Sequence, residues 1–211
     1  VEPPQGDPSR HRGPYPNDVP HPEKSGLFHY LNAGKRSVTL DLEQAADLDK
    51  LMNVVRNADV LVESFRPGVM DRLGLDYHTL SQINPNLVMT SISNFGQTGP
   101  FRDYLASEIT LFAMGGRIGA SGLPERYPLR LGGNHVQYQA GNNAAMATLF
   151  AWHARQHQEA GGQHIDISIF ETQMGSINGR TLGLFTSRGR LSTATDILDL
   201  RLRNQGISVI A

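Results

Sequence analysis

Apolar and polar positions switch along this chain between a two-residue period and a period of three to four, which predicts alternating strands and helices. Residues 36–42 alternate polar and apolar around the β-branched Val38 and Thr39, the pattern of a strand. Leu48, Leu51, Met52 and Val55 then recur as the stripe of a helix. Residues 60–62, Val-Leu-Val, predict a short buried strand. Val69 and Leu73, and further on Tyr77, Leu80 and Ile83, mark helical turns on either side of Gly74. Asn84 precedes Pro85 and closes that region, because a residue before proline avoids the helical well. Residues 87–93 predict the next strand, and residues 107–114 a short helix stopped by Gly115 and Gly116. The strongest helix is predicted over 138–158, rich in alanine and stopped by Gly161 and Gly162. Residues 164–169 alternate cleanly as a last strand.

This order of elements predicts an α/β fold, an open and mostly parallel sheet with flanking helices. Such sheets bind ligands outside the C-terminal ends of their strands, often beside a helix N-terminus. Residues 59–74 are therefore the most informative stretch. An apolar strand there enters the turn Phe65-Arg66-Pro67-Gly68, and a helix follows whose first turn carries Asp71 and Arg72. Residues 2–26 are rich in Pro, Gly, Asp and His without an apolar period and predict a loop. Residues 117–136 predict an irregular excursion, and residues 195–203 the start of a linker helix.

Composition narrows the function. The 211 residues carry a net charge of −1, which gives no electrostatic drive towards nucleic acid or an anionic membrane. No apolar run reaches the ~18 residues of a spanning helix. The absence of cysteine excludes disulfides, thiolate metal sites and a cysteine nucleophile, and fits a cytoplasmic protein. The chain opens on Val1-Glu2-Pro3-Pro4 and closes on an apolar run at 207–211, so we expect an internal piece of a longer protein.

Candidate chemistry is sparse. The glycine-rich run at 115–122 fits neither the dinucleotide fingerprint nor the phosphate loop, and no suitable strand precedes it. His153 and His157 stand four apart but have no evident third ligand, so no metal is expected. Arg10 offers a planar fork of donors suited to a phosphate. Ser107 and Glu108 read equally as a helix cap and as a carboxylate site.

Five ordered segments carry a resemblance to one family. They are VEPPQGDPSR at 1–10, NAGKRSVTLDL at 32–42, ADVLVESFRPGVMDRLG at 58–74, SISNFGQTGP at 91–100 and GGQHIDIS at 161–168. Together they resemble the family III CoA-transferases, which include formyl-CoA and carnitine CoA-transferases. The resemblance implies a Rossmann-like large domain over 1–180, and residues 181–211 starting a linker towards a smaller domain. It implies an interlocked homodimer that handles acyl-CoA and a carboxylic acid, with CoA as substrate and no permanently bound cofactor.

The resemblance also implies roles for single residues. Arg10 would contact a CoA phosphate. Leu40, Ser64, Phe65, Val69 and Arg72 would line the nucleotide and pantetheine path, with Ser64 in place of the more usual Asn. Glu43 falls where some members carry a CoA-contacting lysine. Glu108 takes the slot of a carboxylate beside the active site. Gln137 falls at the position of the nucleophilic aspartate, just before the long helix. A carboxamide is a very poor nucleophile but can hydrogen-bond an acyl oxygen. Three readings follow from the resemblance. The chain is a transferase using Glu108 or a residue elsewhere, a CoA-binding homologue or partner subunit without its own chemistry, or a relative of the acyl-CoA racemases. Ser107 and Gln137 occupy the racemase acid–base slots and argue against the last.

Overall fold

The computed structural model describes residues 1–118, 121, 123, 126–157 and 160–175. The linker expected over 181–211 and the helix expected over 195–203 lie outside them. The chain divides into two compact units, Val1–Ala58 and the residues from Asp59 onward.

In the first unit, 3₁₀ turns at Pro8–His11 and Pro16–Asp18 precede helices α1 (Gly26–Leu31) and α2 (Ala45–Val55). Asp7 caps the first turn through the Ser9 N–H, and Ser25 caps α1 through that of Phe28. The stripe read from the sequence is the buried side of α2, where Leu51 and Val55 are enclosed. The strand expected over 36–42 reduces to a single bridge, Thr39 to Glu2. The Glu2 N–H bonds Val38 O at 2.9 Å and the Leu40 N–H bonds Glu2 O at 3.0 Å. Pro3 and Pro4 follow Glu2 and have no N–H to donate, so the ladder cannot continue.

In the second unit three parallel strands lie in the order β1 (Val60–Glu63), β2 (Val88–Ser93), β3 (Gln163–Ser168). Val60 pairs with Val88, and Val88 with Gln163. Helices α3 (Val69–Arg72) and α4 (Tyr77–Ile83) link β1 to β2; α5 (Glu108–Met114) and α6 (His135–His157) link β2 to β3; α7 (Ile169–Gly175) follows directly. The fold is α/β, as expected.

Central strand β2 is buried over Val88, Met89, Thr90 and Ser91. Successive side chains point to opposite faces, and each face has its own helix. Thr90 bonds Thr148 of α6 at 2.7 Å, and Thr148 returns a bond to the Ala144 carbonyl. On the Met89 face, His164 bonds Ser91 at 2.9 Å and stacks on Tyr77 of α4 at 5.3 Å between ring centroids. Gly162 permits the tight entry into β3, since a Cβ there would lie 2.3 Å from the Leu87 carbonyl oxygen. Helix α6 begins at His135, three residues ahead of the pattern read from the sequence, because Glu108 accepts the Val136 N–H at 2.6 Å and satisfies a first-turn donor.

Candidate functional site

All three strands end at one cleft of about 540 Å³. The turn after β1 supplies Ser64, Phe65, Arg66 and Pro67. Buried Glu63, the last residue of β1, locks that turn by accepting the Phe65 N–H at 2.7 Å. Gly68 starts α3 with φ +84°, a conformation that favours glycine. The end of β2 supplies Ile92, Ser93 and Asn94, and Ile169 follows β3. Helix α6 turns Gln137, Ala140 and Gly141 towards the same space, at the spacing of one helix face.

The remaining wall is the loop Arg102, Asp103, Tyr104 and Leu105. Aromatic packing orders it: Phe95 meets Phe101 at 5.9 Å and Tyr104 at 6.3 Å, and Phe101 meets Tyr104 at 5.4 Å. Phe95 itself is held in a core cluster with Leu111, Phe112 and Val136. Opposite this loop, Gly68 leaves room for the Arg102 guanidinium, whose Nη2 would lie 3.4 Å from a Cβ at that position.

Two guanidiniums, Arg66 and Arg102, face one carboxylate, Asp103, across the lining, so the described wall is net cationic. The Asp103 side chain is 78% exposed and meets Arg102 Nη1 only at 3.8 Å, a weak, screened pair. Two polar atoms in the wall are buried and lack a hydrogen-bond partner, Ser93 Oγ and Arg102 Nε. Buried polar atoms are nearly always paired, so these two orphans are exceptions in the wall.

The structure brings Ser64, Phe65 and Gln137 together in this cleft. Gln137 lies in the first turn of α6 rather than ahead of the helix. Val69 and exposed Arg72 sit on α3, outside the lining. Glu108 is also outside it. Its Oε1 holds the Val136 N–H, next to Gln137, and its Oε2 is buried without a partner. Ser107 caps α5, so the pair acts at the helix starts on which the cleft wall depends.

Arg10 and Leu40 belong to the first unit, where Leu40 is buried. The Arg10 fork grips Glu2 through Nε at 2.6 Å and Nη2 at 2.9 Å, while Nη1 bonds Glu23 at 3.0 Å. Its guanidinium carbon lies 3.8 Å from the centre of the Phe28 ring. Arg10, with help from Ser37, holds the Glu2 carboxyl at a pKa of about 2, and Glu2 in turn raises that of Arg10. Three of the guanidinium's five N–H groups are thus used within the unit. His153 and His157 pack ring against ring at 4.2 Å, and the described residues hold no group of three or more His, Cys, Asp or Glu that could bind a metal ion.

Sequence reading missed Ser93, Arg102, Asp103 and Tyr104 as cleft residues. The one available signal was their place after a β-strand predicted to end at 93, in an α/β fold that opens its sites there.

Residues 1–196 match the model of CoA-transferase family III. The chain is 40% identical over 172 residues to the acetyl-CoA:oxalate CoA-transferase of Acetobacter aceti, an alignment covering 81% of this chain and 43% of that protein. It is 38% identical over 173 residues to the succinyl-CoA:(R)-benzylsuccinate CoA-transferase subunit BbsE of Thauera aromatica, covering 82% of this chain and 42% of that one. The chain therefore spans less than half the length of these relatives. Among solved structures, a CAIB/BAIF family protein from Brucella suis superposes with a TM-score of 0.82 at 30% identity, over 91% of this chain and 50% of the other.

Proposed function

The chain belongs to CoA-transferase family III, and on that premise we propose that the full-length protein moves CoA between an acyl-CoA thioester and a free carboxylic acid at the cleft ending β1, β2 and β3. The observation that carries this reading is the convergence of Ser64, Phe65 and Gln137, three positions matched by the family motifs, on that one cleft. In this reading Ser64 and Phe65 line the pantetheine path, with Val69 and Arg72 beyond them on α3. Arg10 keeps two of its five N–H groups for the CoA-phosphate contact implied by the motifs, and Leu40 keeps its implied place on the CoA path. Residues 1–180 form the large domain and 181–211 begin the linker. The working form is an interlocked cytoplasmic homodimer, a reading supported by the resemblance and the lack of cysteine.

Gln137 shapes the chemistry. Its carboxamide does not form the acyl-enzyme anhydride that an aspartate would. It can donate from Nε2 to the thioester carbonyl oxygen as negative charge develops there. The acid's carboxylate then attacks that carbonyl directly. The C–S bond breaks, CoA thiolate leaves, and a mixed anhydride of the two acids remains. The thiolate attacks the other carbonyl of the anhydride, giving the new thioester and releasing the first acid as its carboxylate. Glu108 keeps the Gln137 turn in place rather than reacting.

Gln137 also favours a second reading, a CoA-binding subunit whose nucleophile comes from a partner. Isotope exchange with the full-length protein separates the two: acyl-CoAs are mixed with labelled free acids, and label entering thioesters is followed by mass spectrometry. The transferase reading expects label transfer, and about 100-fold slower transfer in Gln137→Ala. Intact CoA binding without transfer across the panel gives the partner-subunit reading instead.

A further inference from the structure

We propose that Asp166 is a positioning residue for the cleft: it latches the backbone at Gly96 and Gln97 and so sets where the wall at 102–105 stands. On the transferase reading, on which this rests, the cleft is where acyl-CoA and acid meet.

Asp166 lies on β3, two residues after His164 and on the same face of the sheet. It is not part of the cleft lining. Its Oδ2 accepts the Gln97 N–H at 2.8 Å, a charge-assisted bond between distant parts of the chain. Gly96 makes that approach possible. Its φ is +84°, and a Cβ there would lie 3.3 Å from Asp166 Oδ2 and 3.5 Å from Ser168 Cβ. Just before it, the Asn94 carbonyl accepts the Phe170 N–H at 3.0 Å. The buried Phe95 ring between them packs on Phe170 at 5.7 Å. The chain leaving β2 is therefore tied to β3 and α7 at Asn94, Phe95 and Gln97, and the last of these ties belongs to Asp166.

The direction in which the chain leaves Gln97 decides where the wall falls. Gly99, with φ +91°, turns the chain, and the Arg102 N–H bonds the Gly99 carbonyl at 3.3 Å. Phe101 and Tyr104 then pack back on Phe95. Ring contacts tolerate a range of offsets and tilts, so they hold the loop without fixing its register. A hydrogen bond to one backbone N–H does fix it, because its strength falls steeply with distance and angle. A wall free to shift lowers the fraction of molecules whose cleft matches the substrate, and apparent affinity falls by that fraction. Gln137 stands on a separate element, α6, so the chemical step is expected to be spared.

The test uses the full-length protein with the most active acyl-CoA and labelled acid of the isotope-exchange panel. Asp166→Ala is expected to raise KM for at least one of the two substrates about tenfold, with kcat within about threefold of wild type. Asp166→Asn keeps an acceptor oxygen and is expected to recover most of the loss. Gly96→Ala sets a Cβ against the carboxylate and is expected to raise the same KM; it carries the test if Asp166→Ala does not fold. An unchanged KM overturns the proposal, whether or not the melting temperature falls, because the bond would then be structural only. A fall in kcat with KM kept overturns it, and so does an Asp166→Asn no better than Asp166→Ala. If the wild type transfers nothing, amide hydrogen exchange followed by mass spectrometry keeps the two readings apart. Faster exchange at 97–105 in Asp166→Ala, with 140–157 unchanged, keeps the latch while the transferase reading fails; unchanged exchange at 97–105 overturns the latch.

Discussion

Arg10 in the first unit and Arg102 in the second are the same side chain put to opposite uses. Arg10 is surrounded by acceptors from its own chain: both Glu2 oxygens, Glu23, and the face of Phe28. Arg102 is left with a buried Nε that nothing accepts and one long, exposed ion pair. A guanidinium whose fork is filled by its own protein holds a fold together. One left with a single long, exposed ion pair adds little to stability.

That contrast can be broken by stability measurements on the two sides. The largest expected effect is Arg10→Ala, which leaves the Glu2 carboxylate without its fork and is expected to lower the urea midpoint clearly. A change below about 0.5 kcal/mol would mean the fork is incidental. Ser93→Ala is expected to act in the opposite direction. It removes a buried hydroxyl that has no partner, and is expected to leave stability unchanged or raise it by about 1 kcal/mol. A clear loss of stability in Ser93→Ala would show that the hydroxyl is satisfied within the protein.

The smallest and most specific effect is in acid. Glu2 titrates at about 2 in the fold, depressed from its ordinary 4.5, chiefly by Arg10 and then Ser37. The folded state therefore binds this proton less readily than the unfolded chain. The contribution is fully present above 4.5 and is lost as pH falls towards about 2. Unfolding curves across that window are expected to show this loss in the wild type, and a smaller one in Arg10→Ala. Equal slopes would assign the acid sensitivity to other carboxylates.

Where the pattern along the chain is local, it was sufficient. The α2 stripe, the Val60 strand, the break at Gly74 and the stop at Asn84-Pro85 all stand where their periodicity and backbone preferences put them, but the burial expected of residues 60–62 does not hold, since Val62 is 57% exposed. The segment at 36–42 had the right alternation and still did not become a strand, since pairing depends on a partner and its partner runs into two prolines. The start of α6 was misplaced for a similar reason. The cap that extends the helix comes from Glu108, 28 residues away in sequence.

The site divides in the same way. Residues 59–74 announced themselves as a strand running into a ligand-facing turn, and Ser64 and Phe65 do line the cleft. Gln137, singled out by the resemblance, lines it as well. Ser93 and Arg102 look ordinary in the sequence, a serine in a strand and an arginine in a polar loop. Whether a polar atom is satisfied depends on every neighbour within about 3 Å, and those neighbours come from distant parts of the chain. The sequence by itself determined the family and the α/β order, because each is a property of residue identity and local period. Only the tertiary structure decided that Arg10 is occupied and Arg102 is not, because hydrogen-bond satisfaction is a property of the packed surroundings.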